Sequence, residues 1–250
     1  MPSQLTAAEF IKRLKSLGSE EESRQHQRYF KTGTGEYSEG DIFLGVRMGP
    51  LFDLVKEFGE MPLIEVEKLL ESPLHEARAG GLGIMDKQGR RKKTSDSRRK
   101  ELYDLFMKRI DRINNWDLVD GSCAYVVGRY LFDKPRNVLY KLARSKNVWE
   151  RRIAIVSTGY FIKHGETEDT YKIAEMLLGD REDLIHKATG WLLRAAGDKD
   201  RDKLCTFLTR YGATMPRTAL RYSLEHLDKE QRDHYMQLKK TSQPSVRSRQ

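Results

Sequence analysis

The chain has 250 residues, and its 46 Lys+Arg against 37 Asp+Glu leave a net charge of +9, with 33% of residues charged and 38% hydrophobic. That length can bury a substantial core by ordinary packing, so neither a metal nor a disulfide is needed to hold it, and the basic balance suits a polyanionic partner. The absence of any long uncharged stretch excludes a transmembrane helix, and the start Met1 to Leu5 lacks the apolar run of a signal peptide, so a soluble cytoplasmic protein is expected.

In chain order, apolar residues recur at three and four between glycine and proline punctuation, and sustained strand-like alternation is absent. The reading is all-α, with about fourteen helices at typical lengths. Thr6 with Glu9 has capping-box spacing at the first helix. Gly18, Gly59, Gly165, Gly197 and Gly212 suit helix stops, and Pro62, Pro73 and Pro135 suit first-turn positions. The glycine-rich stretch Gly33 to Asp41 has no preceding strand and no Walker lysine, so it reads as a long loop between helices rather than a nucleotide cradle. Lys87 to Lys100 carries eight cations against Asp96 alone; on composition it reads as a solvated loop between two helices that can add non-specific affinity for phosphates.

Asn114-Asn115-Trp116-Asp117-Leu118-Val119-Asp120-Gly121 breaks local rules. Trp116 and Asp120 are four apart and share a helix face, yet Asp followed by Gly is a poor choice inside a helix. Such conflict often marks a working site. The plainer reading makes Asp120 the N-cap of a helix through Tyr125-Val126-Val127, with Trp116 as core. Cys123 and Cys205 lie far apart in apolar runs and read as reduced core residues. The six His show no ligand spacing, so no metal and no cofactor is expected. No Ser, His or Asp stands in a hydrolase nucleophile motif.

The second half repeats itself. Trp149-Glu150-Arg151-Arg152-Ile153-Ala154, Leu184-Ile185-His186-Lys187-Ala188 and Thr214-Met215-Pro216-Arg217-Thr218-Ala219 open helices at a spacing of about 30 to 35 residues, typical of two-helix solenoid units. An α-solenoid with a concave face follows. Aligned by their openings, the units put Arg152, Lys187 and Arg217 in one phase, with Asp120 one unit earlier; Trp191, Arg194 and Arg221 lie one or two turns onward. A charge run is ordinarily a solvated face. The shared phase instead suggests a basic concave wall that cradles a phosphate backbone. Residues 1–240 are expected to form one domain, and the polar, basic tail 241–250 to be disordered.

These motifs resemble the AlkD-type alkylpurine DNA glycosylases of bacteria, which are built from HEAT-like helical repeats. The resemblance rests on Tyr29-Phe30-Lys31, Phe43-Leu44-Gly45-Val46, Asn115-Trp116-Asp117-Leu118-Val119-Asp120, Trp149-Glu150-Arg151-Arg152 with Ala154, Lys187-Ala188 with Gly190-Trp191, Leu193-Arg194, and Met215-Pro216-Arg217, in order from about residue 20 to 240. Ala195 and Thr34 depart from the pattern, where an acid and a proline are common.

The resemblance implies that Asp120 is the catalytic carboxylate, Trp116 and Trp191 the aromatic walls around the lesion, Arg152 a DNA-contacting arginine, and Tyr29 an aromatic facing the same cleft. Lys187, Arg194, Arg217 and Arg221 complete the expected DNA contacts. The implied substrate is duplex DNA carrying cationic N3- or N7-alkylated purines, cleaved without a deep base-flipping pocket, in a bacterial cytoplasm with the protein nucleoid-associated when on DNA. An alkylated purine is already a good leaving group, so the need is for a fixed anion near the sugar, where positive charge develops. Asp120, beside cations such as Arg152, is expected to be ionised for that role. Neither a membrane nor an obligatory protein partner is expected. Two other functions fit the same pattern: a catalytically silent DNA-structure-binding solenoid, and a protein-binding repeat scaffold.

Overall fold

The structure, a computed structural model, describes residues 5–238. The expected disorder of 241–250 falls outside the described residues. Helices occupy most of the chain, and the only β-type pairing among the described residues is an isolated bridge between Ile42 and Leu74. The all-α expectation is met. The chain divides into two compact units with the boundary between Phe161 and Ile162.

The first unit contains α1 (Ala7–Ser16), α2 (Glu20–Tyr29), α3 (Met48–Glu57), α4 (Leu63–Leu70), α5 (His75–Arg90), α6 (Asp96–Lys108), α7 (Trp116–Asp120), α8 (Arg129–Leu131), α9 (Asn137–Leu142) and α10 (Val148–Ser157). A five-residue π-helical segment, Ala124–Gly128, runs directly into α8. The boundary falls within α11 (Gly159–Lys163). In the second unit follow α12 (Glu168–Leu177), α13 (Asp183–Gly197), α14 (Arg201–Tyr211), α15 (Arg217–Leu224) and α16 (Lys229–Gln237).

Local chemistry sets these ends. Thr6 Oγ1 accepts from the Glu9 amide and Ser19 Oγ from Glu22, while Ser95, Asp200 and Asp228 cap α6, α14 and α16 in the same way. Pro62 and Pro216 stand at the N-caps of α4 and α15, where a missing N–H costs nothing. The core of the first unit sits where α5 meets α1, α3 and α4. There Phe10 and Phe58 pack edge to face at 5.2 Å, and each large apolar side chain removed from water contributes about 1.5–3 kcal/mol.

The second unit shows the repeat most plainly. α13 packs against α12, α14 and, most extensively, its counterpart α15. Gly190 makes that approach possible, since a Cβ there would come within 2.4 Å of the Ala219 carbonyl oxygen and 2.5 Å of Tyr222 Cβ. The expected openings at Trp149 and Leu184 fall one residue inside α10 and α13, whereas α15 begins at Arg217 because Pro216 caps it. The register therefore moves by a turn. Asp120, Arg152, Lys187 and Arg221 are each the fifth residue of their helix, with Arg217 one turn earlier on the same side.

One expectation is corrected. Lys87 to Lys100 is not a loop between helices: Lys87 and Arg90 end α5, Arg98, Arg99 and Lys100 lie in α6, and only 91–95 connects them. Arg98 pairs with Glu101, Arg99 with Asp96 and Lys100 with Asp104, so short-range helix pairs absorb much of that charge.

Candidate catalytic site

α7 is only five residues long. It starts because Asn115, fully buried, accepts the Trp116 amide on Oδ1 at 2.8 Å and donates from Nδ2 to Ser38 Oγ at 2.6 Å. It stops at Asp120, with Gly121 as its C-cap. The awkward Asp-Gly pair is thus a helix end, and Asp120 caps no later helix, since the π segment is preceded by Cys123 in helical conformation. A carboxylate at a helix C-terminus faces the negative end of the helix dipole. The compensating charge is Arg152 on α10, whose Nε and Nη2 donate to Asp120 Oδ1 and Oδ2 at 2.9 and 2.7 Å.

That fork fixes the carboxylate in both position and plane. Arg152 is only 6% exposed in its side chain, whereas Asp120 keeps 23%. Arg152, expected at the DNA, is therefore turned inward and holds the carboxylate. Burial pushes the Asp120 carboxyl above its ordinary value, Arg152 pulls it back, and Asp117 adds a further upward push. The sequence expectation counted only the arginine.

Trp116 opens the same helix and is half-buried. Its ring stacks on Phe30 at 5.4 Å, Phe30 stacks on Phe43 at 5.0 Å, and Phe43 stacks on His75 at 4.4 Å. Tyr29, 65% exposed, meets Trp116 edge-on at 5.9 Å. Tyr37 donates its hydroxyl to the Tyr29 carbonyl at 3.4 Å, and burial raises its hydroxyl pKa. The expected trio of Tyr29, Trp116 and Asp120 is thus gathered on one wall of the first unit.

Sequence reasoning missed the hub beneath that wall. His75, at the start of α5, is 3% exposed in its side chain and contacts Asp41 Oδ2 through Nδ1 at 3.2 Å and Asp117 Oδ2 through Nε2 at 2.8 Å. Burial alone would lower its pKa, but the two carboxylates raise it to about 9, so the imidazolium form is favoured at neutral pH. Arg78 donates to Asp41 Oδ1 at 2.6 Å and to Asn114 Oδ1 at 3.3 Å. Burial pushes Asp41 up, yet His75 and Arg78 hold it below its ordinary value.

Nearby, Glu76 accepts the amides of Leu44, Gly45 and Val46 at 3.0, 2.8 and 3.3 Å. Gly45 has φ +75°, and a Cβ there would meet the Ser19 carbonyl at 2.2 Å, so the loop passes only because that residue is glycine. His75, Glu76 and Arg78 together tie the loop after α2 to the start of α7. The available sequence signal was three polar residues, His75-Glu76-Ala77-Arg78, opening a helix that then becomes apolar.

The second unit carries the other expected residues. Trp191 is half-buried on α13. Lys187 pairs with Asp183 at 2.8 Å, Arg194 pairs with Glu225, Arg217 donates to the Met236 carbonyl at 2.9 Å, and Arg221 is exposed. Cys123 and Cys205 are both free thiols. Among the described residues no group of three His, Cys, Asp or Glu could hold a metal ion, and no helix is long and apolar enough to cross a membrane.

A family model described as DNA alkylation repair enzyme matches residues 10–227. A solved structure described as "Predicted DNA alkylation repair enzyme from Enterococcus faecalis" is similar with a TM-score of 0.65 and 16% identity, over 85% of this chain and 97% of that one; at that identity the likeness concerns the fold. No curated protein sequence matches the chain.

Proposed function

The chain belongs to the DNA alkylation repair enzyme family, and from that premise we propose that it is an AlkD-type, monofunctional glycosylase that releases cationic N3- and N7-alkylated purines from duplex DNA. The observation that carries the reading is Asp120, a carboxylate locked by a buried arginine yet open at one edge beside the half-buried Trp116.

The chemistry follows from that geometry. An alkylated purine carries its own positive charge and leaves without protonation, so the barrier lies in the positive charge that grows on the deoxyribose. A carboxylate held rigidly at the open edge of Asp120 meets that charge without reorganising, and can also orient the attacking water. Arg152 keeps the carboxylate in place and favours its ionised form against the effect of burial. Trp116, backed by the Phe30–Phe43–His75 stack, offers an aromatic edge to the sugar and limits bulk water around the carboxylate. Trp191 is proposed as an aromatic partner of the cationic base, as the resemblance implies. Lys187, Arg194, Arg217 and Arg221 are proposed phosphate contacts, and Tyr29 a surface aromatic at the DNA. No base flipping and no Schiff-base lysine enter the scheme, so strand cleavage is not expected.

The test is incubation of the protein with duplex DNA bearing N7-methylguanine, scored separately for free base and for strand scission, against Asp120→Asn. Base release by the parent with intact strands supports the reading. Equal release by the two proteins, or none by the parent, sinks it.

A further inference from the structure

The first unit also carries an open cavity of about 490 Å³ between α3 and α5. Phe52 and Lys56 line it from α3, Lys87, Arg90 and Arg91 from the end of α5, and Gly121 from the end of α7. Four of these six residues are cations. The one carboxylate in the lining, Asp86, already holds Arg90 Nε at 2.5 Å. Arg90 is further fixed by lying 3.7 Å over the Tyr125 ring, and Arg91 donates to the Gly59 carbonyl at 3.3 Å and pairs with Glu60.

The two lysines are differently placed. Lys56 reaches only Asp53, at 3.4 Å, with both side chains more than 70% exposed, a pairing worth little in water. Lys87 makes no ion pair among the described residues, and its stem lies against Gly59, where an added Cβ would come 3.0 Å from Lys87 Cε. Its ammonium is thereby presented on a supported stem. Beneath the cations the wall is apolar, formed by Val55 and by Phe52, which is 55% exposed.

A cationic rim over an apolar floor matches a sugar–phosphate chain, whose phosphates are anionic and whose deoxyribose has an apolar face. Gly121, in the lining of this cavity, directly follows Asp120, and adjacent Cα atoms are about 3.8 Å apart, so one edge of the cavity lies beside the helix end that carries the carboxylate. A DNA strand rises about 3.4 Å per nucleotide. A strand whose sugar meets Asp120 therefore has its next nucleotides within reach of this groove.

We propose that the α3–α5 groove holds the backbone of the nucleotides adjoining the lesion, with Lys56 and Lys87 on phosphates and Phe52 against a deoxyribose. This rests on the reading of the protein as one that acts on duplex DNA, and it extends the DNA contacts to residues that the repeat phase does not reach.

The test measures binding of a fluorescently labelled duplex by anisotropy across a salt series, using the full chain. Replacing Lys56 and Lys87 together by Ala removes two phosphate contacts. It is expected to weaken binding about tenfold at moderate salt and to flatten the plot of log K against log salt by about two. Phe52→Ala should weaken binding without changing that slope. Lys12→Ala with Lys68→Ala removes the same formal charge from α1 and α4 and should leave the slope nearly unchanged. Thermal melts of each variant establish that it is folded, and these side chains lie at the surface of helices that bury other residues.

If the parent binds and the groove variant keeps its affinity and slope, or loses no more than the Lys12/Lys68 control, the groove is overturned while the DNA reading stands. A parent that binds no duplex overturns both.

Discussion

Two buried ionic clusters lie within the first unit, and they differ in how they treat their carboxylates. In the Asp120–Arg152 pair the cation is hidden and the acid keeps an open edge; in the Asp41–His75–Asp117 hub Asp41 is 5% exposed and His75 3%, so both are closed to water. Burial dominates at Asp120 and its pKa rises, whereas at Asp41 the two neighbouring cations win and its pKa falls. A carboxylate that is to meet a transient positive charge is best left with one side free and without a surplus of counter-ions. One that ties a loop to a helix is best surrounded. The contrast separates the acid proposed as reactive from a structural one on grounds of exposure and partner count: Asp120 lies on the short helix, whereas Asp41 is linked to that helix through His75.

The largest expected effect tests the open pair. Asp120→Asn should lower single-turnover base release on the order of a hundredfold or more, the scale of losing a major electrostatic stabiliser. It should also lower the melting temperature, because Arg152 stays buried with its anionic partner gone. The release assay therefore belongs at a temperature where melts show both proteins folded. A variant as active as the parent would make Asp120 another structural acid and erase the contrast.

The closed hub predicts a stability effect first. His75→Gln leaves Asp41 and Asp117 without their shared cation, with Arg78 the nearest remaining positive group, and should cost about 2 kcal/mol in denaturant unfolding. The pH dependence carries the sign. The folded pKa of His75 is raised from 6.5 to about 9, so its contribution is fully present below pH 6.5 and is lost as pH rises towards 9. Parent stability should decline across that window. A variant showing the same decline would place its origin elsewhere.

Much of the architecture was legible in the sequence because it is written locally. Capping side chains, prolines at helix starts and the spacing of the repeat openings each act within a few residues of where they are read. Asp120, Trp116 and Arg152 stood out by the same route, through a rule-breaking Asp-Gly pair and a shared repeat phase. The direction of the Arg152 side chain did not, since burial depends on what packs over α10 and not on its periodicity. The hub was invisible for a related reason: Asp41, His75 and Asp117 are 34 and 42 residues apart and meet only once the loop after α2 folds back on α5. The Lys87 to Lys100 cluster misled because its eight cations read as a loop until the i,i+3 and i,i+4 partners of four of them, Arg90, Arg98, Arg99 and Lys100, are counted in helices.

Trp116 joins the two clusters, since its backbone belongs to the short helix of Asp120 and its ring ends the stack that begins at His75. Trp116→Ala should lower the release rate about tenfold while changing duplex affinity by less, because its proposed contact tightens as the sugar becomes cationic. Single-turnover rates at saturating protein, set beside binding constants, separate these. Equal losses in both would make the ring a simple binding contact.

The smallest effect carries the same contrast, free against engaged, to the surface cations of the second unit. Arg221 is exposed with no ion pair among the described residues, while Arg194 is paired with Glu225. A phosphate that recruits Arg194 must compete with that carboxylate, which is the more open member of the pair at 47% exposed against 22% for the arginine. Removing Arg194 also leaves Glu225 to repel the DNA, so the loss combines a missing contact with a new like charge. Arg221→Ala should therefore reduce the salt slope by about one with a modest loss of affinity. Arg194→Ala alone should weaken binding at low salt, and the double change of Arg194→Ala with Glu225→Gln should recover part of that loss. Salt-series binding on the three variants decides it: recovery in the double variant assigns the cost to Glu225, and no recovery means that the Arg194 guanidinium itself sits on a phosphate.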